Sequence, residues 1–506
     1  MEGNTALHIM VTRKRLPCLL ALLHCGASVD IPGAGGNTPL HLAVKRWVFY
    51  RVVDGCAQTN DISLVHALIV FGADVNATND QGDTPRHLVA STASGELLFA
   101  LHAVGARRCQ RRLETCTKGC TVDGEFNGIP PDKFASFASP YKVSGRDLTC
   151  VAVYDRLFMG PLVSAALQRR RSGEPSAPPG KRPVRLLCLD GGGIRGLILA
   201  QMLSTLEKLT GVTLAQSFDW IAGTSTGGIL ALALACGEFI LFHLIFLLVL
   251  IQRTGCDDAG KTAAECRCLY FRLKDKVFVG SRPYDTELLE KFLQSEMGET
   301  RCMADIAHPR VMVTGVLVDR RPIELHLFRN YPSAAAMLGT EDDKPNSSYA
   351  RPPKPTEQLV WQAARASGAA PYYFRASGPF MDGGLMSNNP TLDALTEIHE
   401  INMASRFLER DLIAIPYRPV PLCSSLTNHG GVQATQADGR VVDRAHAWCS
   451  MIQVPFFRLN PQLSEDVGLS ETSNPILVRM LWETMAYMHS KRQELSELVE
   501  LLAPRC

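Results

Sequence analysis

The stretch from residue 186 to 229 constrains the fold more than any other part of the chain. Residues 184–189 form a short apolar run that ends in Asp190 and three glycines, the pattern of a buried strand entering a tight turn. Leu199, Met202, Leu203 and Leu206 then recur at i, i+3, i+4 and i+7, the stripe of a helix laid on a sheet, until Gly211 stops it. A second strand at 218–222 runs into Gly223-Thr224-Ser225-Thr226-Gly227, and an apolar helix follows. A G-x-S-x-G between strand and helix lifts its serine above the sheet edge, because the flanking glycines let the chain bend sharply. Ser225 is therefore a candidate nucleophile, with Gly223, Thr224, Thr226 and Gly227 as its elbow. The bland reading, a turn serine, loses to this context.

The glycine run before it reads in two ways. Gly191, Gly193 and Gly196 fit G-x-G-x-x-G between a strand and a helix, so a dinucleotide site is open, with Asp219 as the ribose-binding acid. A nucleotide fold, however, does not require the serine elbow on the next strand. The amides of Gly191, Gly192, Gly193, Ile194, Arg195 and Gly196 suit an oxyanion formed at a carbonyl attacked by Ser225. The oxyanion hole is preferred and a phosphate cradle comes second. A serine nucleophile also needs a base. Asp382, in the turn Asp382-Gly383-Gly384 before Asn388-Asn389-Pro390, offers a carboxylate at a strand end.

Taken in order, Asp190-Gly-Gly-Gly-Ile-Arg-Gly196, the Ser225 elbow and Asp382-Gly-Gly384 resemble the patatin-like phospholipases, which use a Ser–Asp dyad without histidine. The wording of 218–231, of Glu324 to Asn330 and of Asn388 to Asp393 is similar to the ankyrin-repeat, calcium-independent phospholipases A2 (group VI, beta form). The resemblance implies an α/β catalytic domain with three α/β/α layers and Ser225 and Asp382 as the dyad. It also implies hydrolysis of the sn-2 acyl ester of glycerophospholipids, with lysophospholipase or acyl-CoA thioesterase activity beside it. No cofactor is implied, and calcium independence agrees with the lack of an oxygen-ligand loop. A Ser–Asp–His order with His399 as base stays open, as does a non-catalytic ankyrin scaffold or modulator of a full-length relative.

The first hundred residues repeat. Gly3 to His8, Gly36 to His41 and Gly82 to His87 are variants of an opener of the form T-P-L-H, and the first two stand 33 residues apart. That is the ankyrin period, so an all-α ankyrin solenoid is expected over 1–107, with an insertion near 47–61. Asp74, Asn76 and Thr78 resemble a calcium loop only superficially, lacking its glycine and its closing glutamate. His41 and His87 are expected to stabilise turns rather than to bind a ligand. The array starts without a polar cap, so its first face is expected to be covered by further repeats or by a partner.

Residues 108–183 read as a linker region ending in a basic Pro/Gly/Ser stretch, Arg169 to Pro183, expected to be a solvated tether rather than a lipid-headgroup contact. The catalytic domain is assigned to 184–420 and a helical C-terminal region to 421–506. In the latter, Leu477, Leu481, Met485 and Met488 form one apolar stripe, while Leu495, Leu498, Val499 and Leu502 form another. Ile452-Gln453 with Arg458 makes a partial IQ-like pattern, which with the resemblance raises calmodulin as a candidate partner. A net charge of +2 gives no electrostatic reason for nucleic acid. Sixteen cysteines and no leader ahead of Gly3 suggest cytosolic thiols, hence a cytoplasmic protein peripherally bound to phospholipid membranes. A homo-oligomer and an ankyrin-bound protein partner are further expectations. Cys116 with Cys120 and Cys266 with Cys268 lack a second pair at zinc-site spacing, so no metal site is expected.

Two departures from the family pattern stand out. An apolar run at 239–251 interrupts the segment after the elbow helix. At thirteen residues it is too short to span a bilayer, which leaves a membrane-inserting hairpin or a splicing artefact. After the helix bearing His399, residues 412–421 lack the expected glycine turn, so a strand beside the catalytic sheet is expected to be lost.

Overall fold

The computed structural model describes residues 3–53, 62–90, 95–109, 116, 120, 126–130, 159–173, 184–236, 261–340, 354–408, 422–424 and 439–503. The apolar run at 239–251 and most of 108–158 lie outside these residues. The chain forms two compact units, one of residues 1–143, 461–467 and 471–492 and one of the remainder.

The smaller unit is built from helix pairs: α1 (Ala6–Thr12) and α2 (Leu16–His24), α3 (Pro39–Val53) and α4 (Ser63–Val70), α5 (Pro85–Ala90) and α6 (Gly95–His102). Its opener histidines explain the repeat. Thr5 Oγ1 lies 2.8 Å from His8 Nδ1, and Thr38 Oγ1 lies 2.8 Å from His41 Nδ1. The other ring nitrogen reaches the next repeat, at 2.8 Å from the Asn37 carbonyl for His8 and 3.0 Å from the Asp83 carbonyl for His41. Each of these histidines fixes its own turn and ties it to the following one. Asp74 likewise accepts the Asn76 N–H at 2.8 Å in a local turn, not in a calcium loop.

At His87 the pattern changes. Its Nδ1 lies 2.8 Å from Cys120 Sγ and 3.4 Å from Cys109 Sγ, with Cys116 Sγ at 3.9 Å. The expectation that His87 serves only its turn is corrected, and so is the isolation of Cys116 and Cys120. The fold supplies them with His87 and Cys109, partners at spacings that no linear motif displays.

A helix from far along the chain, Asn474–Ser490, also belongs to this unit and packs on α4. Leu477, Leu481 and Met488 of the expected stripe are buried there. Trp482 stacks on His66 with ring centroids 4.4 Å apart and donates its indole N–H to the Ala100 carbonyl at 3.1 Å. Burial pushes the His66 imidazole down to about 3, so it packs as a neutral ring.

The larger unit holds a seven-stranded sheet: β1 (Leu186–Leu189), β2 (Trp220–Thr224), β3 (Arg310–Leu317), β4 (Glu324–Arg329), β5 (Phe380–Asp382), β6 (Leu422–Ser424) and β7 (Phe457–Leu459). The order is β4-β3-β2-β1-β6-β7, with β5 also paired to β3. Only β4 and β5 run antiparallel to their neighbour β3. The helices that matter for the site are α7 (Gly196–Thr210), α8 (Thr226–Ala235), α9 (Ala263–Lys276), α10 (Thr286–Met297), α11 (Val360–Ser367) and α12 (Thr391–Phe407).

Alternation along the strands sorts the core into two layers. Leu186, Cys188, Trp220, Ala222 and Met312 cluster with Ala394, Ile398 and Ile401 of α12 and with Val442, Ala445 and Cys449 of the helix Gly439–Met451. Val313 faces the other way, where α8 crosses so closely that a Cβ on Gly228 would lie 2.6 Å from Val313 Cγ1. With helices on both faces β1 and β2 are buried throughout, which is why they read as continuous apolar runs. This is the three-layer α/β/α arrangement.

Three sequence expectations are corrected here. The strand thought lost is present as β6, paired in parallel with both β1 and β7, and the sheet therefore runs past residue 420. Arg169, Arg170 and Arg171 close a helix, Gly160–Arg171, rather than starting a tether. Arg170 donates to the Ala503 carbonyl at 2.8 Å, and Arg171 clasps Glu500 through two bonds of 2.7 Å. The IQ-like pattern fails on geometry, because Gln453 takes a left-handed φ of 59° and Arg458 lies on β7. An IQ segment needs these residues on one continuous helix.

Candidate active site

The two halves of the site meet because of how β3 is used. β2 runs parallel to β3 and ends with Thr224 opposite Thr314. β5 runs antiparallel along the same edge and ends with Asp382 opposite Gly315, the very next residue. The two strands thus approach head-on, and Ser225 and Asp382 face each other across the junction. Thr224 Oγ1 braces it, 2.7 Å from Thr314 Oγ1 and donating to the Ser387 carbonyl at 2.7 Å.

Ser225 sits at φ 53°, ψ −124°, a left-handed conformation that a non-glycine residue adopts only under constraint. The constraint is visible on both sides. Its N–H donates to Ser367 Oγ at 2.8 Å, and a Cβ on Gly227 would lie 2.3 Å from the Leu189 carbonyl, so only glycine lets α8 start there. Gly223 packs against the Gly227 carbonyl in the same way. The Tyr270 hydroxyl of α9 donates to the Thr226 carbonyl at 2.7 Å. The turn is held from four directions.

The Ser225 hydroxyl donates to Asp382 Oδ2 at 2.7 Å, while Asp382 Oδ1 accepts the Gly384 N–H at 2.7 Å. Gly383 lies hard against Thr314. Both functional side chains are buried. Burial raises the Asp382 carboxyl to about 6, although the bonds from Ser225 and Gly384 pull it down. A carboxylate in that range is a stronger base than an exposed one and is still ionised at neutral pH.

The glycine turn lies beside this pair, and its amides are unequal. The Gly191, Ile194 and Arg195 N–H groups donate to the carbonyls of Asn388, Leu469 and Gly192, at 3.1, 2.8 and 3.1 Å. Gly192 N–H donates to Thr226 Oγ1 at 3.2 Å, and Gly196 N–H turns back to the carbonyls of the turn. Among the described residues no such partner is found for the Gly193 N–H. Gly193 has φ 58° and meets Leu469 closely, so glycine is required there too. Of the six expected donors, Gly193 is the one presented, with Gly192 available if Thr226 turns away.

The competing readings fare less well. Asp219 precedes β2 and accepts the Arg185 N–H at 2.8 Å, so it braces the strand entrance at the end of the sheet opposite the glycine turn. His399 is exposed on α12, and the serine hydroxyl is already bonded to a carboxylate. Sequence reasoning missed Ser367, Tyr270 and the ion pair of Asp190 with Arg458, 3.0 Å apart beneath the glycine turn. Nothing local marks them; Ser367 and Arg458 reach the site only through the tertiary fold.

A cleft opens over Ser225 and encloses about 1000 Å³ including its mouth. Ile229, Leu273, Phe278, Leu289 and Phe374 give it an apolar wall opposite Gly191–Gly193, Ser225 and Asp382. An activated alcohol, a base, a free amide and an apolar slot can together cleave an acyl ester and hold its chain.

A three-layer α/β/α domain that follows ankyrin repeats in the chain is the class that this fold and site define. Comparison makes it specific. Residues 187–395 match the patatin-like phospholipase model, and residues 2–34 and 35–80 match the ankyrin repeat. The chain thus carries a patatin-like phospholipase domain preceded by ankyrin repeats. It is 44% identical over 348 residues to the 85/88 kDa calcium-independent phospholipase A2 of Rattus norvegicus, an alignment covering 63% of this chain and 40% of the relative. It is 30% identical over 535 residues to the intracellular phospholipase A2 of Caenorhabditis elegans, covering 99% of this chain and 44% of that protein. The chain spans less than half the length of these curated relatives.

Proposed function

We propose that the protein is a phospholipase A2 that hydrolyses the sn-2 fatty acyl ester of glycerophospholipids without calcium. Asp382 accepts the Ser225 proton as Oγ attacks the ester carbonyl, and the Gly193 amide, helped by Gly192, receives the oxyanion. The protonated Asp382 gives its proton to the departing lysophospholipid oxygen, leaving an acyl-serine. Water that loses a proton to Asp382 then releases the fatty acid and restores the hydroxyl. Lysophospholipids and acyl-CoA thioesters present the same acyl carbonyl and are secondary substrates of this chemistry.

The observation that carries the reading is the 2.7 Å bond from Ser225 to Asp382 at the floor of an apolar cleft. A lipid surface as the source of substrate is supported by Val279, Leu288, Tyr372 and Met386. These are exposed and lie next to or near the lining residues Phe278, Leu289, Tyr373 and Gly384 in sequence. No helix among the described residues is long and apolar enough to cross a membrane. The ankyrin unit offers a surface for a protein partner, including a second copy. The scaffold reading loses one of its motives with the presence of β6. The test is Ser225→Ala, which should abolish release of sn-2 fatty acid from phosphatidylcholine vesicles in a chain of unchanged circular dichroism; wild-type turnover in that variant overturns the assignment.

A further inference from the structure

We propose that His87, Cys109, Cys116 and Cys120 bind one zinc ion that closes the ankyrin array. Their ligand atoms all lie within 4.8 Å of one another. The sulfurs of Cys109 and Cys120 are 2.9 Å apart and those of Cys116 and Cys120 are 3.5 Å apart, with His87 Nδ1 2.8 to 3.9 Å from all three. A tetrahedral zinc with bonds of about 2.3 Å to sulfur and 2.0 Å to nitrogen sets its ligand atoms about 3.5 to 3.8 Å apart. The cluster needs to open by less than an ångström at its tightest pair, and neither sulfur pair is at the disulfide length of about 2.05 Å.

Three independent features of the surroundings point the same way. The first is the ring of His87. His8 and His41 give Nδ1 to their own threonine and Nε2 to the next repeat. His87 instead turns Nδ1 to the sulfurs and brings Nε2 to 3.3 Å from Asp83 Oδ1. A proton on Nε2 held by that carboxylate leaves the Nδ1 lone pair for a metal, the carboxylate–histidine–zinc arrangement of known sites.

The second is charge. Three thiolates and a zinc ion carry one net negative charge. Arg86, next to His87 in sequence, is buried and supplies a balancing cation. The third is position. Cys120 lies 33 residues after His87, one ankyrin period, where a further repeat would present its opener. The backbone is pinned there by the Cys109 N–H, which donates to the Cys120 carbonyl at 2.6 Å. Four protein ligands leave no open coordination position, so the ion would be structural.

The full chain, purified without a metal-binding tag, should carry about one zinc per molecule by plasma mass spectrometry. Cys116→Ala should lose at least about tenfold in occupancy, Cys116→His should restore it, and Cys18→Ser, at an exposed cysteine, should leave it unchanged. The rescue separates loss of a ligand from loss of folding, because both variants remove the same thiol. Cobalt exchanged into the wild type should give a thiolate-to-metal charge-transfer band. Zinc-free protein whose Cys109, Cys116 and Cys120 alkylate freely or form a disulfide overturns the proposal, as does equal zinc in Cys116→Ala. Zinc binding and Ser225 turnover are separate readouts, so either can fail without the other.

Discussion

Replacing Asp382 by asparagine separates its two roles, because it should harm catalysis and help stability. Burial holds the carboxyl at about 6, against an ordinary value of 3.8. Because the folded value lies above the unfolded one, the stabilising contribution is complete below about 3.8 and is lost as pH rises through about 6. The difference corresponds to about 3 kcal/mol lost by the larger unit when Asp382 is ionised. Asparagine keeps an oxygen for the Gly384 N–H and has no charge to desolvate. Allowing for a poorer partner to the Ser225 hydroxyl, Asp382→Asn should recover about 1–3 kcal/mol near pH 8 and almost nothing near pH 4. Hydrogen exchange at the amides of β1 and β2 in increasing urea reads this unit directly. Phospholipid turnover in the same variant should fall by about 10²- to 10⁴-fold. A variant no more stable than wild type near pH 8, or one whose gain persists near pH 4, refutes the argument that burial sets the proton affinity of this carboxyl.

The other predictions rest on groups that position the site or close the smaller unit. Turnover by the wild type should rise with pH through about 6 as Asp382 ionises, and the same titration should be absent from the residual activity of Asp382→Asn. Ser367→Ala removes the acceptor of the strained Ser225 N–H, worth about 1 kcal/mol, so kcat should fall roughly five- to tenfold with KM little changed in steady-state assays. Arg458→Met strips buried Asp190 of its cation and should destabilise the larger unit by about 3–5 kcal/mol in urea titrations. Trp482→Ala removes the ring stacked on His66 and should lower the stability of the smaller unit by about 3–5 kcal/mol, seen as faster exchange in α4.

The parts legible in the sequence were those whose signals are local. A strand, a glycine turn, a helix and a serine elbow lie within 186–229, and each has its own residue chemistry. The ankyrin openers repeat at a fixed distance, so two of their three histidines behave as read. Asp382-Gly-Gly alone reads as an ordinary turn, so Asp382 is proposed as base on the family resemblance, and what brings it to Ser225 is register on β3, which no pattern displays. β6 escaped notice because it is three residues long and its position depends on pairing with β1 rather than on alternation of its own. The metal-binding geometry at His87 was hidden for a similar reason, since its ligands stand at irregular spacings. Trp482 was read only as part of a C-terminal helix, and its partner His66 lies four hundred positions earlier.

The most direct test of the account is where a fluorophosphonate attaches to the intact chain. The account predicts one covalent adduct, mapped by peptide mass spectrometry to Ser225, formed rapidly in the wild type and at least about a hundredfold more slowly in Asp382→Asn. A folded wild-type chain that takes no label, or takes it at another serine, contradicts the claim that β2 and β5 meet to make a nucleophile and its base.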